Sequence, residues 1–243
     1  IGVRLVGSEM CIRDRYIFSD SYILYAQATG GRQANDFRRL EMVSPYGQSN
    51  TQLDATYEQL NAALGFKTSP VTGLWFNIYG GYQDLKNNLA SAAIANYSGS
   101  YLQLLQGNMH NIYAGAEASY SYKDIISFTA SGIYRDWKTA KTENNSGDQL
   151  LYYMPSFEAN FKVDIRPISS VLINLGYQHI TREKIGNERV DPVGNLYLGG
   201  SYEVFEGISI YVRANNLLNK DYQYYPGYPT EGINFMGGVS FRF

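Results

Sequence analysis

Residues 195–216 read NLYLGGSYEVFEGISIYVRANN. In an extended chain Leu196, Leu198, Tyr202 and Val204 fall on one side, and Asn195, Gly199, Ser201 and Glu203 on the other. After Phe205-Glu206-Gly207 the alternation resumes, with Ile208, Ile210, Val212 and Ala214 opposing Ser209, Tyr211, Arg213 and Asn215. A side-chain period of two with one apolar and one polar face marks a β-strand, and two such runs joined by a glycine-containing turn predict a hairpin. The same split recurs in residues 112–123, 126–135 and 155–163, and in 171–180, where Ile173, Leu175 and Tyr177 oppose Asn174, Gly176 and Gln178.

Tight turns are predicted near residues 68–73, 122–125, 164–169 and 205–207, and longer polar loops at 85–107, 138–149, 182–191 and 219–231. Short turn alternating with long loop describes an up-and-down meander. From about residue 53 the rhythm is steady, an earlier strand falls near 22–28, and about ten strands of roughly 9–14 residues are expected. Soluble strands average about 5–6 residues, whereas a tilted strand needs about 9–11 to cross a hydrocarbon layer. The polar faces carry Glu117, Ser119 and Ser121; Ser127, Thr129, Ser131 and Arg135; Glu158, Asn160 and Lys162. Tyr120, Tyr122, Tyr134, Tyr152, Tyr153, Tyr202 and Tyr222 gather at strand ends, where an amphipathic ring suits a headgroup layer. A soluble sandwich would share the alternation. Strand length, turn asymmetry and aromatic placement together predict an all-β fold, an antiparallel up-and-down transmembrane β-barrel of about ten strands with its apolar face to lipid and its polar face to the lumen.

Composition closes off other classes. The 243 residues hold 20 Lys and Arg against 22 acidic residues, so no electrostatic case for nucleic acid exists. Charged residues are 17%, below the ~25% of soluble domains, while 23 Tyr stand beside 24 Gly. No run approaches ~18 apolar residues, which excludes a membrane helix, and aromatic richness argues against disorder. Cys11 is the single cysteine, so no internal disulfide forms. Val6 to Arg15 reads VGSEMCIRDR, which closely resembles translated read-through of a sequencing adapter. Residues 1–15 are therefore expected to be non-native, and residues 16–243 to be the protein proper.

The C-terminal strand is the most specific part. Phe235, Gly237, Val239, Phe241 and Phe243 share one face. Gly238, Phe241 and Phe243 resemble the C-terminal signal by which outer-membrane barrels are recognised for assembly, with Met236 departing from the polar residue usual two places before the glycine. Residues 212–243 read VRANNLLNKDYQYYPGYPTEGINFMGGVSFRF. A penultimate strand running into Asn216-Leu217-Leu218-Asn219-Lys220, then Asp221-Tyr222, a Tyr- and Pro-rich loop, and Gly232 before the last strand resembles the end of the barrel of a TonB-dependent receptor, although Glu231-Gly232-Ile233 replaces the Pro-Gly-Arg of many members. Loops rich in Tyr and Asn also resemble receptors of Bacteroidota. The resemblance implies the last strands of a 22-strand barrel whose N-terminal plug domain lies outside this chain. It implies active import across a Gram-negative outer membrane of a scarce nutrient: a ferric chelate such as a siderophore complex, a cobalamin or a glycan fragment. The implied partners are outer-membrane lipid, the barrel-assembly machinery, the small-molecule nutrient and, through the missing N-terminal part, an inner-membrane energy-coupling complex.

No phosphate-binding loop or His-Glu-x-x-His motif occurs, so neither enzyme chemistry nor a cofactor is expected. His110 and His179 are isolated on separate strands and read as non-ligands. Glu117, Arg135, Glu158, Glu203 and Arg213 are lumen-facing candidates, read first as a salt-bridged, solvated wall and second as substrate contacts. Tyr97, Tyr101, Trp137, Tyr224, Tyr225 and Tyr228 lie in or beside the long loops, where aromatic rings suit a chelate or sugar ring; interfacial anchoring explains Trp137 equally well. Pro226, Gly227 and Pro229 make the last loop turn-rich and rigid. Two rival readings remain: a complete small outer-membrane barrel acting as pore, adhesin or enzyme, and a secreted carbohydrate-binding β-protein.

Overall fold

The structure, a computed structural model, describes residues 2–6, 9–19, 21–47, 53–96, 99–139, 150–151, 153–183, 190–225 and 227–242. Strands β1 (Gly2–Val6), β2 (Glu9–Ser19) and β3 (Tyr22–Gln33) lead to a short helix, α1 (Phe37–Val43). Then come β4 (Thr56–Val71), β5 (Leu74–Asn96), β6 (Gly99–Tyr122), β7 (Ile126–Thr139), β8 (Pro155–Ile168), β9 (Val171–Arg182), β10 (Val193–Phe205) and β11 (Ile208–Asn215). Two short strands, β12 (Gln223–Tyr225) and β13 (Tyr228–Pro229), form a separate hairpin before β14 (Asn234–Phe241). The other twelve strands form one antiparallel sheet in chain order from β1 to β11, with β14 beside β11. Ten of them, β3 to β11 and β14, are the meander expected from the sequence.

Alternation sorts the side chains as the barrel reading requires. Leu64, Ile78, Ile112 and Phe235 are 67%, 56%, 58% and 75% exposed on the outer face, while Asn77 and Asn111 are 4% and 1% exposed on the inner. This is the inverse of a water-soluble sheet, which hides its apolar face. Leu198 lies between Leu175 and Ala214, and Ile210 between Tyr202 and Val239, so outward apolar residues meet across successive strands. On β6 the outward face runs from Tyr122 to His110, which at roughly 3.3 Å per residue and a tilt of about 40° covers about 30 Å of depth, a bilayer core.

The two ends of the sheet differ. At one end consecutive strands are joined by tight turns at Thr72-Gly73, Lys123-Asp124-Ile125, Ser169-Ser170 and Glu206-Gly207. Gly73 and Gly207 hold φ of +83° and +80°. A Cβ on Gly207 would sit 2.6 Å from the Arg242 carbonyl, so glycine is required there on both counts. The other end carries the long connections.

Three expectations need correction. In the predicted loop 85–107, the described residues 85–96 and 99–107 are a paired extension: after a register shift between Leu85 and Asn88, β5 and β6 stay paired from Asn88 opposite Gly107 to Asn96 opposite Gly99. Asn87 occupies the left-handed region there (φ +53°), a conformation that asparagine tolerates at bulges. Residues 2–6 and 9–15 also lie in strands, although no alternation marks them in the sequence. β2 pairs with β3 from Glu9 opposite Gly31 to Ser19 opposite Tyr22, because an exposed backbone edge accepts almost any extended segment. Finally, β11 and β14 are 8 residues each, shorter than the expected span, and Phe243 lies outside the described residues. β14 pairs with β11, and among the described residues no ladder joins it to β1 or β3.

The Asn216-to-Lys220 segment has a specific structural task. Asn216 is 1% exposed, and its side chain donates to the carbonyls of Lys220 and Glu231, both at 3.0 Å, and accepts the Lys220 N–H at 3.1 Å. Its backbone N–H donates to Asn195 Oδ1 at 2.9 Å. The last long loop is thus tied at both ends to one buried amide. Asn195, expected to be a free polar residue facing water, is part of this knot.

In the full-length protein folded in lipid, Leu198→Arg or Ile210→Arg should cost about 2–4 kcal/mol near the bilayer midplane. Ser209→Arg, on the wet face, should stay within about 0.5 kcal/mol. Denaturant unfolding from vesicles measures both, and equal losses on the two faces would contradict the outward assignment.

Candidate functional site

The inner wall is built from alternate positions of the strands, and two devices set its chemistry. The first is tyrosine laid over glycine. Tyr25 stands opposite Gly65, Tyr79 opposite Gly115, Tyr113 opposite Gly81, Tyr197 opposite Gly176 and Tyr211 opposite Gly238. At each of these glycines an added Cβ would fall under 3.0 Å from the ring, so the ring covers the neighbouring strand only because no side chain stands there. Tyr and Gly are abundant together partly for this reason.

The second device is a hydrogen-bonded polar network. Glu58 accepts from Thr29 Oγ1 at 3.0 Å, from Gln83 Nε2 at 2.6 Å and from Asn61 Nδ2 at 3.4 Å. Asn61 in turn accepts from the Tyr113 hydroxyl at 2.7 Å, and Asn111 Nδ2 donates to Gln83 Oε1 at 2.9 Å. Nearby, Tyr25 donates to Asn77 Oδ1 at 3.1 Å and Asn77 to Glu117 at 3.4 Å. Uncharged donors thus reach both carboxylates, Glu58 and Glu117, while Asn111 Oδ1 is buried without a partner.

At the loop end the connections fold over the mouth. Asp36 caps α1, accepting the Arg39 N–H at 3.0 Å. Beyond the Asn87 bulge, Leu89, Ala90, Leu102 and Leu104 are buried, and Leu85, Ala90, Met109 and Leu150 form a small apolar core with Leu105, Trp137 and Met154 against it. Tyr46, just after α1, stacks on Tyr228 with ring centroids 3.7 Å apart and meets Tyr225 edge-on at 5.7 Å. A loop rooted near the first edge of the sheet therefore clasps one rooted at the last. Arg182, 6% exposed, donates through Nη2 to the carbonyls of Gln223 and Tyr224 at 2.9 and 3.0 Å, and the Tyr224 hydroxyl reaches Gln178 on the wall at 2.8 Å.

Two adjoining cavities lie among these loops. The upper one, about 320 Å³, is largely apolar and is bordered by Val43, Leu89, Leu150, Tyr153, Tyr224 and Tyr225. The lower one, about 770 Å³, is polar and is bordered by Arg32, Arg39, Glu58, Gln83, Arg135, Trp137 and Glu158. Asn88 and Pro155 border both, so the cavities adjoin.

The candidate residues are distributed as follows. Arg135 and Glu158 form an ion pair at 2.5 Å in the lower cavity. Glu117 lies deeper in the wall beside Asn77. Arg213 packs over the Tyr197 ring at 4.2 Å and donates to Asn215 at 2.8 Å, away from any of the glutamates proposed with it. Glu203 sits at the tight-turn end, 3.4 Å from Arg242. Trp137 donates its indole N–H to the Pro155 carbonyl at 3.0 Å in the mouth, where Tyr224, Tyr225 and Tyr228 also gather. Tyr97 and Tyr152 lie outside the described residues, as does Pro226, and Tyr101 falls in β6 opposite Ile94. Gly238 is covered by Tyr211, and Phe241 points outward opposite Ile208. His110 and His179 both face outward, beside Tyr82 and between Phe157 and Tyr177 respectively. Among the described residues no cluster of three or more His, Cys, Asp or Glu side chains could hold a metal. The sequence reading passed over Arg39, Tyr46, Glu58, Gln83 and Arg182. The Asn35-Asp36 pair before Phe37 is a helix-start signal that could have flagged the first two; the others gain meaning only from register.

No protein-family model matches the sequence, and no curated protein does. Solved structures do match in fold. The copper transporter OprC superposes with a TM-score of 0.67 at 17% identity, over 97% of this chain and 39% of that protein. A G324V mutant of the ferric enterobactin receptor PfeA from Pseudomonas aeruginosa gives 0.63 at 16%, over 97% and 40%. The FrpB iron transporter from Neisseria meningitidis gives 0.65 at 14%, over 97% and 38%. The chain thus spans about 40% of the length of the proteins it resembles, and their likeness bears out the antiparallel up-and-down β-barrel fold expected from the sequence.

Tyr222 gives the mouth a pH dependence. Burial, then the neighbouring Tyr224, pushes its phenol from the ordinary 10 up to about 12, so the fold favours the neutral form. The stabilisation is intact below pH 10 and is lost as pH rises from 10 through 12, because the unfolded chain ionises first. Protease susceptibility of the loop at 216–233 should rise over that interval in the full-length protein, and Tyr222→Phe should remove most of the rise. An unchanged profile in the variant would show that another group governs it.

Proposed function

We propose that residues 16–243 are the last ten strands of a TonB-dependent outer-membrane receptor that imports a scarce nutrient, captured under the long loops. The observation that carries the reading is the division of the sheet: apolar outside, hydrogen-bonded inside, tight turns at one end, and loops clasped over two adjoining cavities at the other. A wall of this kind is suited to recognition and passage. Support also comes from fold likeness to proteins described as a copper transporter, a ferric enterobactin receptor and an iron transporter, none of them described as an enzyme. Among the described residues β14 pairs with β11 alone, which favours part of a larger barrel over a closed small one, since an open edge in hydrocarbon leaves backbone groups unsatisfied. Residues 1–15 fit poorly as native barrel: Asp14 stands opposite Ala26 and Leu64 lies beyond it, on the outward face where a charge is costly. Lipid, the assembly machinery and an inner-membrane energy-coupling complex acting through the N-terminal region are the partners this reading requires.

The test is uptake by the full-length receptor in a Gram-negative host lacking its own importers. Accumulation of a ferric chelate, copper, cobalamin or an oligosaccharide that stops when the energy-coupling complex is deleted supports the reading; transport indifferent to that deletion overturns it. Assembly gives a second check. Phe243→Ala, or removal of residues 234–243, should sharply reduce outer-membrane levels and heat-modifiable migration, because it removes the aromatic end and the strand that completes the sheet. Normal levels in both variants would count against the assembly-signal reading.

A further inference from the structure

The upper cavity sits where the loops are fastened, and its lining is mostly hydrocarbon. Val43 at the end of α1, Tyr153, Met154, Tyr224 and Tyr225 border it and stay half-buried, so they keep accessible surface, while Leu89, Ala90 and Leu150 are the buried part of the lining. Polar groups at this border are engaged elsewhere. The Tyr224 hydroxyl donates to Gln178 at 2.8 Å, so Tyr224 offers ring carbons here, and Asn88 Nδ2 turns to the Met109 sulfur at 3.1 Å. A space with so few hydrogen-bonding partners holds water poorly, and a sugar hydroxyl or catecholate oxygen placed in it would go unpartnered. Hydrocarbon loses nothing there and regains the dispersion contacts that an empty apolar space forfeits. Contacts outside the lining hold the space open. The Arg182 guanidinium fixes the backbone carbonyls of Gln223 and Tyr224 at 2.9 and 3.0 Å, and Tyr225 is braced edge-on by Tyr46, which stacks on Tyr228. Both tyrosines are thereby kept from collapsing onto Leu89 and Leu150.

Resting on the uptake reading above, we propose that the imported nutrient is an amphiphile whose aliphatic chain occupies the upper cavity while its polar head lies in the lower one. Continuity between the two spaces carries the assignment. Asn88 and Pro155 border both, so a molecule with one apolar and one hydrogen-bonding end finds matching surroundings without a break. The upper cavity, about 320 Å³, is roughly twice the space that holds a benzene ring, which is room for a chain of about eight carbons. The lower cavity, bordered by Glu58, Gln83 and the Arg135–Glu158 pair, offers both donors and acceptors to a head group. Chain length is thus the property on which this mouth discriminates, and a nutrient that is polar throughout would leave the upper cavity empty.

The experiment uses the full-length receptor in phospholipid nanodiscs, so that no detergent tail competes, and calorimetric titrations corrected for empty nanodiscs. The probes carry an eight-carbon chain on a neutral, an anionic or a cationic head (octyl glucoside, N-octanoylglycine and octyltrimethylammonium), each compared with its two-carbon counterpart. At least one octyl probe should bind the wild type about 10- to 100-fold more tightly than its counterpart, with a negative heat-capacity change. Val43→Trp and Ser91→Leu, which fill the upper cavity, should each remove most of that advantage, whereas Met42→Ala, an exposed neighbour of Val43, should leave it intact. A diazirine-bearing octyl probe gives a readout that needs no variant: it should label wild-type peptides holding residues 89–91 and 224–225. Lack of chain-length dependence with every head, an advantage that survives both filling variants in folded barrels, or labelling confined to the lipid-facing strand positions overturns the assignment. Energy-dependent uptake of a tail-free ferric chelate or oligosaccharide with which no octyl probe competes overturns the amphiphile and leaves the uptake reading standing. Octyl binding that the filling variants remove, without energy-dependent uptake of any nutrient, overturns the uptake reading and leaves the cavity assignment.

Discussion

A strand in hydrocarbon has one source of hydrogen-bond partners for its backbone, the strand beside it. The rest of this molecule follows from that requirement. It makes the sheet continuous, antiparallel and in chain order, and it allows only tight turns where the chain reverses at one end. It also explains why β2 is held against β3 although its side chains suit the position badly, with Asp14 on the lipid-facing side. Backbone pairing is indifferent to sequence, whereas the faces of a strand are not. At that edge the two demands disagree, and the ladder forms anyway.

With the outer face committed to apolar residues, chemical variety is confined to the inner wall and the loop end. The wall is economical in volume. Glycine on one strand lets a tyrosine from the next lie across it, so a large ring with a hydrogen-bonding hydroxyl lines the lumen without protruding far into it. Amide side chains then link these hydroxyls to carboxylates such as Glu58 and Glu117. The result is a polar surface whose groups are mostly satisfied by one another.

At the loop end the physics reverts to that of a soluble protein. The bulge at Asn87 lets the β5–β6 extension bury Leu89, Ala90, Leu102 and Leu104. The Tyr46–Tyr228 stack and the Arg182 clamp then fasten loops rooted far apart in the sheet. The stack joins residues 182 apart in the chain and the clamp residues 41 and 42 apart, beside an apolar upper and a polar lower cavity.

The sequence alone determined ten of the strands, their two faces, the tight turns and the barrel class, because each rests on local periodicity that any extended chain in a bilayer must show. It also marked Asn216 to Lys220 as unusual, and the buried amide of Asn216 is the physical content of that motif. Tertiary structure decided the rest. Residues 85–107 look polar and loop-like in one dimension, but their small and polar positions pair across a hairpin, and pairing depends on register rather than composition. Glu117, Arg135, Glu158, Glu203 and Arg213 share a polar face in sequence, yet only Arg135 and Glu158 come close enough to pair, since strand stagger sets which charges meet. Arg39, Tyr46 and Arg182 carried no periodic signal at all. Their settings arise where segments distant in the sequence converge, a geometry that no local pattern encodes.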